Sequence, residues 1–346
     1  MRRANLGWSG WTRFPRLVPR WGRRRGVMLL NAVAKGLFLW LAAGVGAGFV
    51  LKPAVAQPPA SRGFDLSATS VDVRQIRSGG PPKDGIPALS RPAFLTVENA
   101  EYLTDKDRVI GVAVGDDARA YPLAILNYHE IVNDVLGGTP IAATYCPLCD
   151  SAAVFDRRTP LGVREFGVSG MLFNSNVLMY DRGGKPESLW SQVRISGVSG
   201  PGADRRLAAL PCELTTWKSW RMRHPNTKVL SNMTGHRRNY SRNPYAAYFG
   251  NQELMFPVSP TSTQFSDKER VLGVWVGKEF RAYAESAFPR DSSRVTEKVA
   301  GKSLTVEFDR ASKTIRVIHA EDGVSWLYSF WFAWYSQHPD TTVFGR

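Results

Sequence analysis

The sequence predicts a β-rich α+β protein in which two related units, each a β-hairpin closed by a helix, pack as one domain. Two observations predict it. Short apolar runs bounded by Gly and Asp turn residues recur along the chain, which is the pattern of strands and hairpins. The chain also repeats itself. Val109-Ile110-Gly111-Val112-Ala113-Val114-Gly115, leading to Arg119-Ala120-Tyr121, recurs 162 residues later as Val271-Leu272-Gly273-Val274-Trp275-Val276-Gly277, leading to Arg281-Ala282-Tyr283. Phe155-Asp156-Arg157 recurs 153 residues on, as Phe308-Asp309-Arg310. Trp217-x-x-Trp220-x-x-x-His224-Pro225 recurs 114 residues on, as Trp331-x-x-Trp334-x-x-x-His338-Pro339.

The first unit is read over about residues 109–230 and the second over about 271–344. The offset shrinks by 48 residues between them. Of these, 9 fall in the stretch that carries a cysteine pair in the first unit, and 39 where the first unit has Val168 to Gln192. Repeated features are read as scaffold. Special chemistry is expected where only the first unit has residues.

Taken in order, residues 1–56 hold ten Lys and Arg and no acid. They account for ten of the formal charges of +15, leaving +5 on the rest. That balance, with no Lys/Arg stripe among aromatics, argues against nucleic acid as a partner. Gly36 to Leu51 is apolar, basic residues precede it, and Ala54-Val55-Ala56 follows as a cleavage signal. Residues 1–56 are therefore expected to be a signal peptide or, uncleaved, an N-terminal membrane anchor forming a transmembrane helix. Met28 would serve as an alternative start. The expected location is extracytoplasmic, in the periplasm or on the outer face of the membrane, where disulfides are permitted.

Residues 57–92, rich in Pro, Gly and Ser, read as a linker ending in an ordered loop. The domain is expected over 93–346. Val109–Val114 is a strand, Gly115-Asp116-Asp117 a turn and Ala118–Tyr121 the return strand. Pro122 opens a helix expected to run through about Asn133. Gly137-Gly138 turns the chain into an apolar run that ends at Thr144-Tyr145-Cys146-Pro147-Leu148-Cys149-Asp150.

Cys146 and Cys149 are two of three cysteines. A C-x-x-C loop between strands ligates a soft metal, cycles between dithiol and disulfide, or serves as a structural clip. A closed site of four cysteines is excluded, because only Cys212 is left. Cys212, in Leu210-Pro211-Cys212-Glu213-Leu214, reads as a free thiol on a turn. The metal reading uses Cys146, Cys149 and His129 as ligands to copper, zinc or iron, with Glu130 or Asn133 behind them. The residues expected to line an adjacent pocket for a small-molecule or metal ligand are Ser169, Asn174, Asn176, Trp190 and Gln192. Two other classes compete with this reading: a thiol–disulfide redox protein, and a non-catalytic binding protein with a structural cysteine pair. Ser169 lacks the G-x-S-x-G frame of a nucleophile elbow, so serine hydrolysis is set aside. His224 and His338, in the last turns of the Trp-pair helices, are expected to favour the helix dipole. His236 is loop-borne.

The run Gly79 to Leu89, the segment Asn127 to Asp134, Tyr145-Cys146-Pro147-Leu148-Cys149, Phe166 to Asn176, Tyr180-Asp181-Arg182, Ser188 to Gln192 and Phe256 to Pro260 together resemble the domain of unknown function 3179 family. The resemblance covers roughly residues 75–346. It implies an exported or membrane-attached protein with its site at the cysteine pair and the His129-Glu130 segment. Asp150 departs from the family pattern, which often has Gly there. A shielded carboxylate at that place is expected to raise the thiol pKa values.

Overall fold

The computed structural model describes residues 61–345. β1 (Ile76–Ser78), β2 (Leu89–Ser90) and β3 (Phe94–Leu95) are short. β4 (Arg108–Val114) and β5 (Asp117–Pro122) form a hairpin, followed by α1 (Leu123–His129), β6 (Ile131–Leu136), β7 (Thr139–Cys146) and β8 (Ser151–Asp156). A small hairpin of β9 (Arg158–Thr159) and β10 (Gly162–Val163) leads to β11 (Glu165–Phe173), β12 (Asn176–Arg182), β13 (Leu189–Ser191) and β14 (Ser196–Ser199). Then come β15 (Ala209–Leu210), β16 (Cys212–Thr216), α2 (Trp217–Arg223), β17 (Lys228–Leu230) and α3 (Ala246–Phe249). The last part runs β18 (Arg270–Val276), β19 (Glu279–Ala284), β20 (Arg294–Val299), β21 (Lys302–Asp309), β22 (Thr314–Ala320), β23 (Ser325–Phe330), α4 (Trp331–Gln337) and β24 (Thr342–Val343). The fold is β-rich α+β, with few and short helices.

The central layer is a sheet ordered β2-β6-β7-β8-β23-β18-β19-β24, with β15 added on β8. Side chains alternate across it. Ile141, Ala143 and Tyr145 of β7 enter one apolar cluster, with Ile110, Leu272 and Val306. Ala142 and Cys146 enter the other, with Phe166, Trp190, Trp331 and Trp334. The sheet is thus buried on both faces, so its strands read as nearly continuous apolar runs. The sheet β1-β11-β12-β13-β14 covers the cysteine-bearing face. The sheets β16-β4-β5-β17-β3 and β20-β21-β22 contribute to the opposite cluster.

Each Trp-pair helix lies against a glycine on a strand. A Cβ on Gly111 would stand 2.2 Å from the Trp220 ring, and one on Gly273 2.3 Å from the Trp334 ring. Only glycine admits the indole there. Trp220 Nε1 donates to Thr227 Oγ1 and Trp334 Nε1 to Thr341 Oγ1, both at 3.0 Å. β17 then pairs parallel with β5, as β24 does with β19.

Several expectations are corrected. α1 stops at His129, short of Asn133, because Glu130 takes a left-handed φ of 56° and the β-branched Ile131 and Val132 enter a strand paired with β7. The stretch read as linker contributes β1, paired with β11, and β2, paired with β6; edge strands need few apolar residues. Cys212 lies in a strand, paired with Val112, and not in a turn. The expected leader lies outside the described residues, and among the described residues no helix is long and apolar enough to cross a membrane.

Gly111→Ala and Gly273→Ala each force an indole out of place. Each is expected to cost about 1–3 kcal/mol in urea unfolding. Unchanged midpoints in both would mean that the helices are not seated by these contacts.

Candidate functional site

The cysteine pair sits in a four-residue hairpin loop. Cys146 pairs with Ser151, Pro147 occupies the position a type I turn favours, and Cys149 N–H bonds Cys146 O at 3.1 Å. Asp150 completes the loop with a left-handed φ of 45°. No helix follows. Both sulfurs are buried, and both face one carbonyl, Ser175 O, at 3.9 Å from Cys146 Sγ and 3.3 Å from Cys149 Sγ. That carbonyl is delivered by the β11–β12 hairpin, whose two-residue loop Asn174-Ser175 has φ of 48° and 63°. Positive φ at both positions gives the tight turn that fits strand twist.

The two thiols differ. Burial pushes Cys146 up, but hydrogen bonds from the Cys149 thiol and from the backbone N–H groups of Val177, Cys149 and Leu148 outweigh it. Cys146 therefore ionises below the ordinary thiol range. Cys149 is pushed well above that range by burial, by its bond to Cys146 and by the charge Cys146 carries; Asn176 opposes this weakly. Backbone N–H groups of the turn supply what a helix N-terminus supplies in other C-x-x-C sites. Glu130 accompanies the pair: its carbonyl accepts from Tyr145 N–H at 2.8 Å. Burial, reinforced by Cys146, raises its carboxyl well above the usual range, so it is a neutral acid.

A closed polar network backs the thiols. Gln192 donates to Thr144 Oγ1 at 2.9 Å and accepts from Ser151 Oγ at 2.6 Å and Asn176 Nδ2 at 3.1 Å. Asn176 Oδ1 takes Val193 N–H at 3.0 Å. A strap over residues 231–268 covers the front. Tyr248 Oη donates to Leu148 O at 2.8 Å, Ser175 Oγ to Phe256 O at 2.9 Å, and Asn174 Nδ2 to Ser259 O at 2.9 Å.

The structure thus brings Cys146, Cys149, Glu130, Asn176 and Gln192 together, with Asn174 tying the strap down. It does not bring His129. Both ring nitrogens are engaged, Nδ1 with Pro87 O and Nε2 with Tyr240 Oη, each at 2.7 Å, and burial lowers its pKa to about 4. Among the described residues no group of three or more His, Cys, Asp or Glu side chains is arranged to hold a metal. Asn133 bridges β6 to β11 through Phe166, donating to its carbonyl at 2.9 Å and accepting its N–H at 2.8 Å. Ser169 lies within β11 and serves a bulge there, bonding Leu178 O at 2.5 Å. Trp190 is core, edge-on to Phe166.

His338 is neutral, its pKa lowered to about 3 by burial. It stacks on Phe280 and bonds Val193 O at 2.9 Å, so packing rather than a helix dipole holds it. Cys212 is a buried thiol pushed up to about 12 by burial. His236 packs its ring 5.1 Å from that of His129.

Asp150 does not act on the thiols as expected. Its carboxylate, 1% exposed, is bonded by Arg108 Nη1 and Arg270 Nε, both at 2.8 Å, and by Tyr145 Oη at 2.8 Å. Burial raises its pKa, but the two guanidiniums more than offset this and hold it below the usual carboxylate value. The sequence carried a signal for these arginines. Arg108 and Arg270 each stand one residue before the matched strand segments, within Asp105-Lys106-Asp107-Arg108 and Asp267-Lys268-Glu269-Arg270.

Asp150→Asn leaves two guanidiniums facing a neutral amide and is expected to cost about 3–5 kcal/mol at neutral pH. A lowered folded pKa means that the Asp150 contribution is complete above the unfolded value of about 3.9 and fades as pH falls through the folded value. The gap between parent and variant in urea unfolding should therefore narrow below that value. A gap constant with pH would show that the charge of Asp150 is not the stabilising element.

No curated protein and no solved structure matches the chain. A family model described as "Protein of unknown function (DUF3179)" matches residues 83–326, which include the cysteine turn, the strap and both Trp-seating glycines. By that match the chain belongs to the DUF3179 family.

Proposed function

We propose that the protein is an extracytoplasmic thiol–disulfide redox protein with Cys146 as nucleophile and Cys149 as resolving thiol. The observation that carries this reading is geometric: two unbridged thiols three positions apart on one turn, both facing the Ser175 carbonyl. The Cys146 thiolate attacks a substrate disulfide, forms a mixed disulfide and releases one substrate thiolate, which takes up a proton. Cys149 loses its proton and attacks the Cys146 sulfur. The second substrate thiolate leaves, and the protein holds a Cys146–Cys149 disulfide. One Cys146 thiolate, one Cys149 thiol and one substrate disulfide thus become one protein disulfide, one substrate thiol and one substrate thiolate. Glu130 would relay the proton: its neutral carboxyl gives a proton to the departing substrate thiolate, and the resulting carboxylate takes the proton of Cys149. The strap is the element that would admit substrate, as long irregular segments over a site commonly do.

The reading further holds that the two halves descend from one unit, and that residues 1–56 direct export to a compartment where a disulfide persists. A metal reading narrows to the two thiolates, since His129 is engaged elsewhere. Two soft thiolates alone suit Cu(I) better than zinc or iron.

Ultraviolet thiolate absorbance against pH should show one thiol ionising below about 8.5 and lost in Cys146→Ser. Equilibration in thiol–disulfide buffers should give a potential between about −270 and −120 mV, the span of exchangers. A potential below about −300 mV would make the pair a structural clip. Stoichiometric copper, lost in Cys146→Ser, would favour the metal reading instead.

A further inference from the structure

Two adjoining cavities, one of about 200 Å³ and one of about 400 Å³, share Lys106, Arg108 and Arg270 in their walls. We propose that they form one binding site for a small-molecule oxyanion, a ligand bearing a phosphate or carboxylate group. The site lies on the Tyr145–Asp150 side of the cysteine turn, away from the two sulfurs, and does not depend on the redox reading.

Three observations carry the proposal. First, the guanidiniums are positioned before any ligand arrives. Asp150 holds Arg108 through Nη1 alone and Arg270 through Nε alone, leaving the terminal nitrogens of Arg270 without a hydrogen bond among the described residues. Their side chains are 28% and 40% exposed, so each reaches the open space with its fork already fixed. Pre-positioned guanidinium forks suit the paired oxygens of carboxylate and phosphate.

Second, the charge around them is in excess. Lys106 and Lys313 line the smaller cavity and Arg242 the larger. The acids there are mostly committed. Asp150 is spent on the two arginines, and Asp107 accepts from Thr104 N at 2.6 Å and from Thr104 Oγ1 at 3.0 Å. Arg242 belongs to residues 214–252, which hold seven Lys and Arg and no acid.

Third, one carboxyl in the wall is uncommitted. Glu285 makes no hydrogen bond through its side chain among those described, and burial raises its pKa. Beside an incoming anion its charge repels; protonated, it donates. The site is therefore expected to bind more tightly as pH falls through the Glu285 titration. The groups facing Glu285 are Arg270, Glu269, Arg108 and Lys313.

The test is calorimetric titration of the protein with inorganic phosphate, sulfate and succinate at low ionic strength. At least one is expected to bind, at one site per chain. Lys106→Gln/Lys313→Gln should weaken it about tenfold, and Glu285→Gln should strengthen it several-fold, by loss and gain of local positive charge. None of these three side chains bonds Asp150, so the buried ion pair is kept in these variants. Arg270→Gln removes one guanidinium, leaves Asp150 bonded to Arg108 Nη1 and Tyr145 Oη, and should abolish binding. Cys146→Ser/Cys149→Ser should bind like the parent. Failure of all three anions to bind the folded parent overturns the proposal. So does binding indifferent to both the lysine pair and Glu285.

Discussion

The buried carboxylate of Asp150 is the point on which the architecture turns. It closes the cysteine loop, yet its bonds go to Arg108 at the start of β4 and Arg270 at the start of β18. One side chain thereby ties the first hairpin, the second hairpin and the central turn together. A buried ion pair adds little net stability over a well-packed apolar substitute, because desolvation offsets the attraction. Its effect is on specificity: any packing that separates the two hairpins strands two charges. Tyr145 completes the shell from the neighbouring position of β7.

The same turn sorts chemistry by face. Strand alternation sends Tyr145 to one side and Cys146 to the other. On the first side lie fixed positive charge and open cavity. On the second lie two thiols, a neutral acid, and the Gln192–Asn176 network bonded to Thr144, Ser151 and Val193. Such a network is stabilising only when complete. Here it fixes where the sulfurs stand while leaving the difference between them to the backbone N–H groups of the loop itself.

Much of this was legible in the sequence, for identifiable reasons. The hairpins were, because short apolar runs bounded by Gly and Asp turn residues are local. The Trp-pair helices were, because they recur. The position of the cysteine pair on a turn between two strands was, because apolar runs flank it on both sides. What could not be read is what depends on where a side chain points after folding. His129 follows the helix expected of it, but its ring nitrogens are claimed by Pro87 and Tyr240 from remote parts of the chain. Asn133 and Ser169 are the polar residue types that sites use, and here they hold β6 to β11 and shape a bulge. Asp150 was weighed against its neighbours in sequence, while its partners stand 42 and 120 residues away. Glu130 was legible in place but not in state, since its neutrality comes from burial.

The parallel pairings of β17 on β5 and β24 on β19 carry a consequence for how the chain folds. Each pairing closes a loop, of roughly 110 residues in the first case and roughly 60 in the second, and closure entropy grows only with the logarithm of length. The longer loop therefore costs only about 0.5 kcal/mol more than the shorter. The β11–β14 segment, which lies inside the longer loop, adds little to the thermodynamic cost of closing it. Its cost is kinetic: distant partners must meet before either rewards the other, which slows folding and prolongs exposure of unpaired edges.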